Sequence, residues 1–123
     1  MKRLFLINLA LFLLLFSNID INAQKNSYYL RQAEQYQRDA VYYSNEANKH
    51  QREVEYYTKQ ANRYLRDADY CMRRGDTSGA RMRQGWANDA MSKARTRQRW
   101  ANDAMDKARM RQKWASDALR KAR

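Results

Sequence analysis

From Tyr29 onward the apolar positions advance in alternating steps of four and three: Tyr29, Ala33, Tyr36, Ala40, Tyr43, Ala47, His50, Val54, Tyr57, Ala61, Tyr64, Ala68, Cys71. Such steps hold residues on one stripe of a helix, so the spacing predicts a long helix over 24–74 with Tyr mostly at heptad position d and Ala mostly at a. At 1.5 Å per residue, Asn26 to Arg74 would extend roughly 70 Å. The stepping resumes as Ala80, Gln84, Ala87, Met91, Ala94, Gln98, Ala101, Met105, Ala108, Gln112, Ala115, Leu119, Ala122, which predicts a second long helix over 80–123. The absence of Pro and the abundance of Ala, Arg, Lys, Gln, Glu and Met favour helix throughout.

A coarser period overlies the heptad. Trp86-Ala87-Asn88-Asp89-Ala90-Met91 returns 14 residues later from Trp100 and again, slightly altered, from Trp114. The same step separates Tyr28-Tyr29, Tyr42-Tyr43, Tyr56-Tyr57 and Tyr70-Cys71. It slips by two residues between Tyr70 and Trp86. Fourteen residues make two heptads, so this is a repeat laid along a shared helical seam.

Between the two ladders stands Gly75-Asp76-Thr77-Ser78-Gly79, the turn expected over 75–79. Gly75 suits the left-handed conformation that stops a helix, and Asp76, Thr77 or Ser78 can cap the next. The stretch Tyr70 to Ala80 resembles the turn between paired helices of tetratricopeptide-type repeats, although the 34-residue period is missing, and it implies a helix–turn–helix alone. Arg74-Gly75-Asp76 also spells the integrin-recognition tripeptide, but stopping and capping already explain Gly75 and Asp76. Matched helices joined by a short turn fold back on each other. The expected fold class is therefore all-α: two long helices in an antiparallel coiled-coil hairpin of 14-residue repeats, behind an N-terminal signal helix. Ala layers should alternate with layers of Tyr against Met or Gln.

Met1 to Ala23 has a basic start (Lys2, Arg3), an apolar run from Leu4 to Phe16 and a polar end. The run is short of the roughly 20 residues of a membrane span, so 1–23 reads as a cleaved signal peptide. The expected location is outside the cytoplasm: secreted, periplasmic or cell-surface. Large aliphatics after it are few, namely Leu30, Val41, Val54, Leu65 and Leu119. A core so thin makes a lone monomer a poor expectation and a homo-oligomer the better one. Tyr28, Tyr42 and Tyr56, with Trp86, Trp100 and Trp114, lie beside the seam at position c and offer a self-association stripe. Cys71, the one cysteine, is a candidate for an intermolecular disulfide.

Little here supports catalysis. His50 is the one histidine, no second His or Cys stands at metal-ligand spacing, and no Gly-rich phosphate loop exists. No catalytic, cofactor or metal residue is therefore expected, and no small-molecule substrate. Asp89–Lys93, Asp103–Lys107 and Asp117–Lys121 are acid-first pairs that support a helix. The basic residues say more. The chain carries a net charge of +12, and the part from Asp76 onward holds 13 Lys and Arg against 5 Asp. Arg81, Arg83, Arg95, Arg97, Arg99, Arg109, Arg111 and Lys113 cluster between the Trp phrases, as a surface for polyanions would require. The expected function is a non-enzymatic exported structural or interaction protein that binds an anionic polymer or envelope surface. The alternatives are a secreted nucleic-acid binder and a membrane-active cationic helix.

Overall fold

The computed structural model describes residues 27–123, so the signal segment expected over 1–23 lies outside the described residues. All regular structure there is helical. Helix α1 spans Ser27–Arg73 and α2 spans Thr77–Ala122, and the two pack closely against each other as in a hairpin. The turn is tighter than 75–79, because Thr77, Ser78 and Gly79 already belong to α2.

One residue explains that economy. Gly75 adopts φ = 77°, its amide donates to the Met72 carbonyl at 3.0 Å, and the Asp76 amide donates to the Cys71 carbonyl at 2.9 Å. These bonds form the Schellman motif that closes a helix on a left-handed residue. Asp76 then opens α2: its Oδ1 accepts from the Gly79 amide at 2.9 Å, and its carbonyl accepts from the Ala80 amide at 3.0 Å. Asp76 thus serves both as the last residue of one cap and the first of the next.

The chain divides into two units, residues 27–48 with Asp103–Arg123, and Lys49–Asn102. In the first, Ala33, Ala40 and Ala47 of α1 are buried, as are Ala104, Ala108, Ala115, Ala118, Leu119 and Ala122 of α2. Ala33, Ala118 and Leu119 form a cluster there, with Leu30 and Tyr36 packed on it. In the second, Ala61, Ala68 and Cys71 are buried together with Ala80, Ala87, Ala90, Ala94 and Ala101. Among the described residues fifteen of the seventeen buried apolar ones are Ala, so close approach of the backbones replaces bulk in the seam. At about 0.8 kcal/mol per methylene-sized group, each contributes little alone. Ser44, 1 % exposed, is buried with its Oγ lacking a hydrogen-bond partner, and the Gln112 Nε2 is likewise unpaired.

The α1 ladder is seated as its spacing predicts: Tyr29, Tyr36, Tyr43, Tyr57 and Tyr64 are half-buried beside the buried alanines. In α2 the seam is rotated. Gln84 and Met91 are exposed, and Gln98, Met105 and Gln112 are only half-buried. Ala90, Ala104 and Ala118, which stand outside the predicted ladder, are buried. The expected layers of Tyr against Met or Gln therefore do not form. Those Tyr rings meet Trp and cationic side chains, which give the ring faces and edges suitable partners.

Candidate interaction surface

The rotation of α2 makes sense of the 14-residue period. In the unit of Lys49–Asn102, His50 meets the Trp100 ring edge-on at 5.5 Å between centroids, and Tyr64 meets Trp86 at 5.6 Å. Between them the Tyr57 ring carries Lys93 Nζ at 5.7 Å and the Arg97 guanidinium at 6.0 Å. In the other unit, Tyr36 meets Trp114 at 5.6 Å. There Tyr29 carries Lys121 at 5.8 Å, and Tyr43 carries Lys107 at 5.7 Å. Within each unit, α2 offers Trp and Lys in alternate heptads to a row of Tyr and His on α1. One heptad is thus insufficient to return to the same partner, and two are needed. The partners in these ring–ring and ring–lysine pairs are equidistant from Gly75 along the chain, as an antiparallel pairing about that residue requires.

The eight basic residues of α2 separate by role. Arg97 lies 4.3 Å over the Trp100 ring while its Nε sits 2.8 Å from Glu53 Oε2. Arg111 lies 4.3 Å over Trp114, with Asp39 at 3.7 Å. Arg83 covers Trp86 at 5.8 Å and donates to the Gly79 carbonyl at 3.2 Å. Arg97 and Arg111 bind the hairpin to itself, while Arg83 is held within α2. Arg81, Arg95, Arg99, Arg109 and Lys113 are exposed. Arg99 donates to Thr96 Oγ1 at 3.4 Å and Arg109 is 3.8 Å from Asp106, contacts of the kind a polyanion can displace. The expected patch is therefore divided, with five residues facing outward, two occupied by an acid and a ring each, and Arg83 by a ring and a carbonyl.

The aromatic stripe stays at the surface. Tyr28, Tyr42 and Tyr56 are 60, 59 and 57 % exposed, and Trp86, Trp100 and Trp114 are 43, 46 and 38 % exposed. Each of those tyrosines stands edge-on to its chain neighbour, Tyr29, Tyr43 or Tyr57, with centroids 5.2–5.4 Å apart. Cys71 is a free thiol, buried beside the turn at 7 % exposure. His50 Nδ1 lies 3.2 Å from Glu53 Oε1, which ties it to the same acid as Arg97. Among the described residues, no group of three or more His, Cys, Asp or Glu could hold a metal ion, and no helix is long and apolar enough to cross a membrane.

The sequence reading missed the Trp–Lys alternation and its companion, the alternation of Arg83, Ala90, Arg97, Ala104, Arg111 and Ala118 one turn away. Both were present as seven-residue steps inside the 14-residue phrase. Comparison with protein-family models, with curated proteins and with solved structures finds no match to this chain.

Proposed function

We propose that the chain is an exported, non-enzymatic structural and interaction protein. In this reading it is a coiled-coil hairpin of 14-residue repeats that self-associates and holds anionic polymers on its second helix. The observation that carries the reading is the outward set Arg81, Arg95, Arg99, Arg109 and Lys113, which stands exposed while the neighbouring Arg83, Arg97 and Arg111 are occupied by the hairpin. Cations on a preformed helix lose little conformational freedom on binding, and they release counterions from the polymer. The exposed Tyr and Trp supply the contact stripe for a second copy. A net charge of +12 sets copies against each other, so a polyanion that neutralises them promotes their association.

Circular dichroism and analytical sedimentation of the purified chain, alone and with heparin or a single-stranded oligonucleotide, test this. High helicity in plain buffer and a rise in mass on adding polyanion are expected. If all five outward cations engage a single-stranded polymer, the slope of log K against log salt is about −3.5. Helix formation only on anionic vesicles, with leakage of their contents, would instead identify a membrane-active peptide. A salt-independent affinity would sink the polyanion reading.

A further inference from the structure

Along one flank of α2 Arg alternates with Ala, and at two of the three alanines, Ala90 and Ala118, a cleft opens. In the unit of Lys49–Asn102 a cleft of about 240 Å³ is lined by Gln60, Tyr64, Trp86, Asp89, Ala90 and Lys93, with Tyr56 and Tyr57 at its side. In the other unit a cleft of about 280 Å³ is lined by Gln32, Tyr36, Trp114, Asp117, Ala118 and Lys121. The six lining residues are the same, type for type, two repeat lengths apart on each helix. Ala90 and Ala118 are buried beneath, at 6 and 4 % exposure, where an Arg side chain fills the equivalent space over Trp100 and Trp114. The glutamine is held in the same way in both: its Nε2 donates at 3.0 Å to the hydroxyl of the tyrosine four residues earlier, Tyr28 or Tyr56. A cleft reproduced in two separate units, down to the bond that orients its amide, is a constructed feature.

We infer that each hollow receives one sugar ring of an acidic polysaccharide. The inference rests on the polyanion reading and names its polymer. The volumes fall below the roughly 300–1,000 Å³ of sites for drug-sized ligands, and they suit a single ring. Trp86 and Trp114, each with an arginine over its ring but still 43 and 38 % exposed, supply apolar ring surface to the lining for the C–H groups of such a sugar. Asp89 and Asp117 accept hydrogen bonds and donate none when ionised, which favours a ligand rich in hydroxyl donors over a phosphate backbone. Asp117 also meets Arg120, which fixes that carboxylate at the rim. The ammonium groups of Lys93 and Lys121, each over a Tyr ring at 5.7 and 5.8 Å, supply a counter-charge for a ring carboxylate or sulfate. They also repel a cation, so an organic ammonium ligand is disfavoured despite the aromatic lining. The repetition of the hollow at Ala90 and Ala118 matches a ligand that repeats the same unit, since linked weak sites gain from effective concentration.

The test titrates the full chain with an oligogalacturonate, a neutral malto-oligosaccharide and an oligothymidylate, read by tryptophan fluorescence and calorimetry. The decisive variant is Ala90→Arg with Ala118→Arg, which fills both hollows with the residue already present elsewhere in that row and adds positive charge. Oligogalacturonate binding is expected to weaken by about tenfold or more, while the oligothymidylate binds as well or better. Helicity by circular dichroism confirms folding. Should that variant unfold, Gln32→Ala with Gln60→Ala leaves the seam alone and is expected to weaken the sugar by roughly fivefold. Undiminished or tighter oligogalacturonate binding by the filled variant, or unchanged binding by the glutamine variant, overturns the hollows and leaves the polyanion reading intact. Equal affinity for the neutral sugar overturns the assignment of an acidic ring. Binding of oligothymidylate but not of oligogalacturonate overturns the inference in favour of nucleic acid. Failure of both anionic polymers to bind removes the broader reading as well.

Discussion

At the scale of single residues the turn carries more consequence than any position in the helices. Among the described residues Gly75 alone has positive φ, and an added Cβ there meets no atom within 4 Å, so Gly75→Ala reports backbone strain and nothing else. A loss of about 1 kcal/mol is expected, seen as a Tm lower by roughly 4–8 °C in thermal unfolding. Asp76→Ala removes the cap of α2 and costs about 1 kcal/mol as well. At Gly79 a Cβ would collide with the Asp76 carboxylate. Gly79→Ala should therefore forfeit the same cap, and a double-mutant cycle should show the two changes to be non-additive. In the seam the sign reverses. Ser44 Oγ is buried without a partner, so Ser44→Ala should leave stability unchanged or raise it by up to about 1 kcal/mol, measured by urea titration.

At the scale of the helices, Arg97 and Arg81 look alike in the sequence and behave differently in the fold. Arg97 is sandwiched between Glu53 and the Trp100 ring, whereas Arg81 is exposed. Arg97→Ala is expected to cost about 1 kcal/mol, and its coupling to Glu53→Ala should be about 0.5–1 kcal/mol in a double-mutant cycle. Arg81→Ala should leave the melting curve in place and flatten the salt slope of polyanion binding by about 0.7. Why the sequence could not separate them is physical. The Tyr/Ala row of α1 has one apolar stripe, and its burial follows from spacing alone. Helix α2 has two rival stripes: Ala with Gln and Met, or Ala with Ala and Arg. Both obey the four-three stepping, and only the bulk of Trp86, Trp100 and Trp114, seated against α1, decides which one turns inward. The turn was legible to within a few residues because Gly75 and Asp76 have few other uses. Its length was not, since Gly79 looks like a second breaker until the Asp76 cap draws it into the helix.

At the scale of the whole molecule, charge and the alanine-lined seam act together. A chain of net charge +12 that buries mostly methyl groups has modest cohesion and strong self-repulsion. If copies meet through the exposed Tyr and Trp stripe, as proposed, raising salt should strengthen that association, because screening shortens the repulsion and leaves apolar contact little affected. Sedimentation across a salt series checks this, and a mass that falls with salt would show ion pairs, not aromatic contact, at the interface. The mirrored bookkeeping about Gly75 has an evolutionary corollary. A residue inserted in one arm turns everything beyond it, on the side away from Gly75, by about 100° relative to the opposite arm and carries the Trp and Lys row off its Tyr partners. An inserted heptad restores the face but sets lysines where tryptophans belong. Length in such a protein should thus change only in balanced blocks, gained or lost on both sides of the hinge at once.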